Sequence, residues 1–472
     1  MQEYKIFIGG KWRTTSEIFP VVNPYTDETI GQTYLATESD IEAAIASAES
    51  AFEAMRVLPA FKRAEALFHI SLGLKERKEE IAKMITLESG KPISDSRVEV
   101  NRAIQTFLIA SEEAKRINGE LLPFDQMPGS EGRLGLTRRV PIGIIVGIAP
   151  FNFPLNLVAH KIAPAIASGN VILLKPAPKT PLTALILAEI ISTAGLPDGA
   201  VQIFPTTNDR AEKMVCDPAM AMLSFTGSAR VGWLLKEKIP KKRAVLELGG
   251  NAGVIIEADA DLDLAARRCV VGGFSFSGQV CISVQRIYVQ EDCYQPFLDC
   301  FLPRVASLKI GDPLDDSTEV GAMIDLAAAE RAAAWIDEAV SQGAMLLAGG
   351  KRFGQQLMPT VLADTTPAMK VSCEEIFAPV VTVTPYRYFH EAIAAVNRSP
   401  YGLQAGLFTQ NIKEIFQAFD QIEVGGLIVN DVPTYRIDSM PYGGMKASGC
   451  GREGIRYAIH EMTELKLLLL NP

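Results

Sequence analysis

Apolar and polar positions interchange at short spacing at the start of the chain, where "YKIFIGGKW" and "FPVVNPYTDETIG" read as short strands separated by turns. The period then lengthens. "SDIEAAIASAESAFEAM" sets its apolar residues three and four apart, the spacing of one helix face, and Ser39 followed by Glu42 predicts a capping box at its start. Helical periodicity continues through "RAEALFHISLGLKERKEEIAKMITLESGK" to about Asn118, where a polar, Gly- and Pro-containing piece (119–132) interrupts it. Beyond it, short apolar runs ("IGIIVGIAP", "NVILLKPA", "AVQIFP", "AMLSFTG") take turns with helical ones ("LNLVAHKIAPAIASG", "TPLTALILAEIISTAG", "SARVGWLLKEKI"). Strands that are apolar throughout need cover on both faces, so this rhythm predicts a parallel sheet between helices. It resumes after Glu247 with "AGVIIEADADL", a helix ending before Phe274, "SVQRIYVQ", helices at 293–307 and 327–342, and "PVVTVTPY". Two α/β domains are expected, and "HEMTELKLLLLN" reads as an edge strand in need of a partner.

Bulk properties narrow the class. At 472 residues the chain exceeds what one core supports, so two or three domains are expected. The formal charge of −9 and the lack of a basic stripe exclude a nucleic-acid partner. Seven cysteines without CxxC pairs argue against a disulfide framework and structural zinc. With only four histidines (His69, His160, His390, His460), no metal site is expected. The start shows no basic and apolar leader pattern, and "LLLL" (467–470) is far below the about 20 residues that span a bilayer. No membrane partner and a reducing, cytoplasmic setting are therefore expected.

One thiol stands apart. In "FSFSGQVCISVQR" small and polar residues lead up to Cys281, which would let backbone N–H groups crowd the sulfur. Cys216, Cys269, Cys293, Cys300, Cys373 and Cys450 fall on helical or loop patterns and are expected to pack. Of the glycine signals, "GCGREG" (449–454) lacks the preceding strand that a dinucleotide fingerprint needs and reads as a loop. "FTGSARVG" (225–232) follows a strand and opens a helix at Ser228, where free N–H groups suit a phosphate or an ordinary cap equally.

Further stretches decide between such readings: "PFNFP" (150–154), "LKPAPKTP" (174–181), "LELGGN" (246–251) and "EEIFAPV" (374–380). Together with "FTGS" and "SGQVC", in this order, they resemble the NAD(P)-dependent aldehyde dehydrogenase superfamily over nearly the whole chain, closest in pattern to lactaldehyde, non-phosphorylating glyceraldehyde-3-phosphate and phosphonoacetaldehyde dehydrogenases. The resemblance implies two Rossmann-like α/β domains with parallel sheets plus a small β oligomerisation arm. The NAD(P)-binding domain would comprise 1–118 and 139–246, the catalytic domain 247–445, and the arm 119–138 and 446–472. It implies Cys281 as nucleophile, Asn152 as oxyanion donor and Glu247 as general base, chemistry that a thiohemiacetal and thioester route requires. It places Lys175 on the adenosine ribose, Gly227 and Ser228 at the pyrophosphate, and Glu375 and Phe377 at the nicotinamide ribose. Strict NAD users often carry a glutamate where this chain has Pro178; Lys179 follows and would meet a 2′-phosphate, so NAD and NADP both stay open.

For the substrate, His160 takes the position where relatives acting on long or aromatic aldehydes tend to have tryptophan. With Arg102 it implies a small hydroxylated or weakly anionic aldehyde. Val280, where phosphonate-type members often carry arginine, weighs against a dianion and toward a small neutral or hydroxy-aldehyde. Tyr435 and Arg436 lie in the loop expected to vary with substrate. CoA-acylating members generally lack the glutamate matching Glu247; a non-redox cysteine hydrolase or a non-catalytic relative are the readings from other classes. Homodimers or homotetramers built through the arm are implied.

Overall fold

The computed structural model describes residues 2–471. The first apolar strands assemble into an eight-stranded sheet in the order Lys11–Arg13, Ile6–Ile8, Val201–Ile203, Val171–Lys175, Ile144–Ile148, Met220–Thr226, Arg243–Glu247, Gly449–Cys450. The strands from Val201–Ile203 to Arg243–Glu247 run parallel, whereas the edge pairs are antiparallel. Every residue of Ile144–Ile148 and Val171–Lys175 is buried, because helices cover both faces. Ile145, Ile172 and Leu174 point into a core shared with helices Ala60–Glu76, Ile93–Ala114, Asn156–Ser168 and Leu182–Ser192. Their neighbours Ile144, Val146, Val171 and Leu173 face helix Glu38–Met55 on the other side. This two-sided burial is why the strands lack polar alternation.

A seven-stranded sheet follows in the order Met345–Ala348, Thr360–Ala363, Val380–Tyr386, Val284–Gln290, Ala252–Ile256, Gln404–Phe408, Gly426–Val429, parallel except at its first strand. Leu262–Phe274 and Tyr294–Ala306 pack on one face, Phe389–Asn397 and Ile412–Gln421 on the other. Outside both, Leu121–Pro123, Leu134–Pro141 and Thr463–Leu470 form a three-stranded antiparallel sheet, so the tail finds its partner in the segment after the polar interruption.

Local differences from the sequence reading have simple causes. The first helix is capped by Thr37, whose hydroxyl accepts from the Asp40 N–H while Asp40 answers to the Thr37 N–H, so the box sits two residues ahead of Ser39 and Glu42. Helix Asn208–Cys216 escaped the reading because only Ala211, Met214 and Val215 are buried, too few for a visible stripe. Cys216 at its end is exposed rather than packed. Of the segment 446–472, Gly449–Cys450 closes the edge of the first sheet, and Ile455 and Ile459 of helix Ile455–Glu461 pack into that domain's core. Only Thr463–Leu470 joins the three-stranded sheet. Among the described residues no helix is long and apolar enough to cross a membrane.

Candidate active site

Parallel strands present their carboxyl ends on one side, and ligands collect there. Glu247 is the last residue of its strand, Gly227 and Ser228 follow the strand ending at Thr226, Lys175 ends a third, and Asn152 lies just past Ile148. Ser228 holds the N-cap backbone position of helix Ala229–Lys238, yet its hydroxyl caps nothing, which leaves the helix's first N–H groups available to an anion.

Cys281 is delivered by a strained turn. Phe276, Ser277 and Gly278 all have positive φ (46°, 54° and 66°), a conformation costing about 1–3 kcal/mol for each non-glycine residue. Tertiary bonds hold it. The Phe276 N–H donates to Asp95 (3.1 Å), the Ser277 hydroxyl to the Gly321 carbonyl (3.0 Å), and the Gln279 side chain accepts from the Ile324 N–H (2.9 Å). At Gly278 a Cβ would stand 2.1 Å from the Ala378 carbonyl oxygen, so only glycine fits. Lys91 lies over the rings of Phe153 and Phe276 (3.9 and 4.4 Å to their centroids) and pairs with the fully buried Glu99. The other Glu99 oxygen accepts from the Leu155 and Asn156 N–H groups (2.9 and 3.1 Å), so one ion pair pins both the turn before Cys281 and the helix after Asn152.

Asn152, Glu247 and Cys281 line a single cavity of about 370 Å³, together with Gly227, Ser228, Glu375 and Phe377. The Asn152 amide donates one hydrogen to the Gln279 carbonyl (2.9 Å) and keeps a second. Both oxygens of the fully buried Glu247 lack partners among the described residues. Burial, reinforced by Glu453, pushes its carboxyl well above the usual range. Burial likewise raises the Cys281 thiol to about 11, against the hydrogen bond to the Tyr442 hydroxyl (3.1 Å) that lowers it.

The groups around the cavity beside the thiol suit a ligand bearing hydroxyls and phosphates. Burial lowers the Lys175 ammonium to about 8; it forms no ion pair among the described residues, and an amine so placed suits a hydroxyl-bearing ligand. Burial raises Glu375 to about 7, with the Gly250 N–H (2.9 Å) and Arg331 opposing. A side chain at Gly249 would strike Glu375 at 2.3 Å and one at Gly250 the Cys281 carbonyl oxygen at 2.1 Å, so the paired glycines of "LELGGN" make room for the carboxylate and for the cysteine's backbone. Lys175 and Lys179 stand outside the cavity lining, and Lys179 pairs with Asp325 across a half-exposed gap.

His160 and Arg102 also lie off that lining, and they meet at a carboxylate absent from the sequence reading. Asp438 accepts from His160 Nε2 (2.7 Å), Arg102 Nη2 (2.8 Å) and Asn156 Nδ2 (3.1 Å). Burial and the adjacent Arg436 lower the His160 pKa, so the ring is neutral; its Nδ1 has no partner among the described residues. Arg436 donates to Glu453 (3.1 Å) and stacks on Tyr442, 3.6 Å from the ring centroid. Glu453 also accepts from the fully buried Lys161 (3.1 Å), which donates to Thr226 (2.7 Å) as well. The cations hold Glu453 well below the usual range although burial opposes them. Two of these residues left a trace in the sequence: Lys161 is a lone charge in an apolar helix, and Glu453 sits inside "GCGREG". Asp438 and Tyr442 left none.

Known proteins resemble the chain over nearly its whole length. Residues 12–468 match the aldehyde dehydrogenase family. A 3-sulfolactaldehyde dehydrogenase of Priestia aryabhattai is 44% identical, spanning 100% of this chain and 98% of its own. The chain belongs to the aldehyde dehydrogenase family. Aldehyde dehydrogenase 21 of Physcomitrella patens, solved with the reaction product succinate, superposes with a TM-score of 0.98 at 44% identity over 99% of this chain and 98% of that one. Glyceraldehyde-3-phosphate dehydrogenase GapN of Methanocaldococcus jannaschii, solved with NADP, gives 0.93 at 39% identity over 97% and 99%. The protein is thus an oxidoreductase acting on aldehydes with a nicotinamide cofactor, built on Rossmann-like domains.

Proposed function

We propose that the protein oxidises a small aldehyde carrying one negative charge to its carboxylic acid, with Cys281 as nucleophile. The observation that carries the substrate class is the charge of the buried network beside Cys281. Arg102, Lys161 and Arg436 are set against Asp438 and Glu453, which leaves one positive charge unmatched while His160 and Glu247 are neutral. A buried excess charge is costly, and one anionic group on a substrate removes that cost. The Arg436 Nε has no partner among the described residues. The relatives support this: a sulfonate in one name, a phosphate in another, and succinate in one complex. Val280 in place of an arginine favours the singly charged members of that range.

Cys281 Sγ bonds to the aldehyde carbon, and the oxyanion so formed takes the second Asn152 N–H and the cysteine's own N–H. Glu375 and Phe377 would hold a nicotinamide, which when bound would serve as the hydride acceptor. Glu247, once its own proton has passed to solvent, removes a proton from the water that attacks the thioester, and the thiolate leaves. A buried base opposite the thioester supports hydrolysis over transfer to CoA. Both NAD and NADP are used: no carboxylate at 178 repels a 2′-phosphate, and Lys179 is held only by a surface-type pair, worth about 0–1 kcal/mol, that a phosphate displaces.

Initial rates with succinate semialdehyde, 3-sulfolactaldehyde, lactaldehyde, glyceraldehyde 3-phosphate and benzaldehyde, each with NAD and NADP and with or without CoA, test this reading. Highest kcat/KM is expected for the monoanions without CoA. Preference for benzaldehyde, or an absolute need for CoA, would overturn it.

A further inference from the structure

We infer that Tyr442 is a catalytic residue of the acylation half-reaction: its hydroxyl, 3.1 Å from Cys281 Sγ, donates the hydrogen bond that stabilises the thiolate, and the Arg436 guanidinium on its ring strengthens that donor. The inference rests on the reading of Cys281 as nucleophile. Its basis is a line of contacts with no apolar gap. Tyr442 is buried, 3% exposed, in a small cluster with Ile282 and Leu403 against which Cys281 packs. A buried hydroxyl needs a partner, and sulfur is the only side-chain atom found bonded to it among the described residues. Behind the ring, Arg436 stands 3.6 Å from the centroid, close for a cation–π contact, and is itself anchored by Glu453. A cation on the π face draws electron density from the ring and makes the O–H a better donor.

The direction of the bond follows from the charges. Burial pushes the Tyr442 phenol well above its ordinary value, so it keeps its proton throughout. When the thiol ionises, the S–H bond breaks, its electron pair stays on sulfur, and the proton passes to water. Sulfur is then an acceptor only, and Tyr442 must donate to it. Burial pushes the thiol up even with this donor in place, and without it nothing beside the sulfur would offset that rise as directly. Formation of the C–S bond removes the charge from sulfur and releases the hydroxyl, so the contact acts before the thiohemiacetal rather than after it.

The test compares the pH profile of Cys281 alkylation by iodoacetamide in the wild type and in Tyr442→Phe. The variant keeps the ring under Arg436, and its folding is read separately by NADPH fluorescence and a thermal melt. Loss of one hydrogen bond to a charged acceptor is expected to raise the alkylation midpoint by about one to two pH units. The pre-steady-state NAD(P)H burst at pH 7 should slow by about ten- to a hundredfold, recovering as pH rises, with cofactor binding unchanged. A merely structural role would alter stability but leave the midpoint in place, and an unmoved midpoint overturns the inference. Cys281→Ala separates this from failure of the underlying reading: if that variant still oxidises aldehyde, the nucleophile is elsewhere; if it is inactive while the Tyr442→Phe profile is unmoved, only the tyrosine's role falls.

Discussion

At the residue scale, the site depends on carboxyls whose protonation is set by burial. Glu375 illustrates the sign. Its folded value of about 7 exceeds the ordinary carboxylate range, so the protonated form contributes stability that is complete below about 4.5 and lost as pH rises through about 7. Binding works the other way, because only the carboxylate accepts two ribose hydroxyls. Affinity for the nicotinamide cofactor is therefore expected to rise with pH up to about 7 and then level off, and Glu375→Gln should flatten the curve; titration of NAD(P)H fluorescence between pH 5.5 and 8.5 on the order of those limits measures it. Glu247 bears on a later step. Without its carboxylate, water attacks the thioester slowly while hydride transfer proceeds, so Glu247→Gln is expected to show a full burst of NAD(P)H followed by a steady state about 10²–10⁴ slower. A steady state equal to the wild type would contradict the assigned role. Cys281, Glu247 and Asn152 could be singled out as candidates because the short motifs around them, taken in order, resemble a known family. Asp438 and Tyr442 could not, since an acid and a tyrosine in a loop carry no local pattern, and only the chain path brings them to His160 and Cys281.

At the scale of elements, the turn 275–278 and the helix Asn156–Ser168 act as one unit through Lys91 and Glu99. The sequence predicts both the helix and a glycine-containing turn, yet nothing in "FSFSG" announces that a phenylalanine will take φ 46°. That conformation is imposed by bonds to Asp95 and Gly321, both distant in the chain. Gly278→Ala is expected to abolish activity and lower Tm, since its Cβ would overlap the Ala378 carbonyl and the αL region adds about 1–2 kcal/mol; scanning calorimetry beside an oxidation assay reads both. Lys91→Met should be as damaging by another route. It leaves the Glu99 charge buried and unpaired, a loss of about 3–5 kcal/mol, while the two N–H bonds of Glu99 to the helix start remain. The cap at Thr37 shows the ordinary limit of element reading, in which the helix is right and its first residue is off by two.

For the whole molecule, two parallel sheets place their strand ends around one cavity, and a third, three-stranded sheet stands apart with its leucines exposed. Leu465, Leu467, Leu468, Leu469 and Leu470 each keep between 44% and 57% of their surface open, an area that a second copy is expected to cover. Leu467→Glu with Leu469→Glu should convert a dimer or tetramer into monomer in light scattering, and a wild type that already runs as a monomer would remove this expectation. The sequence by itself determined the layered α/β architecture and the family, and it pointed to candidate residues that the structure brings to one cavity. Periodicity and short motifs are local, and burial on two faces leaves an apolar run that can be read directly. Tertiary structure alone decided the charge network that binds Arg102, His160, Lys161 and Arg436 to Asp438 and Glu453. Those partners lie up to 336 positions apart, and Coulomb energies depend on separation in space and on burial, neither of which is written in the order of residues.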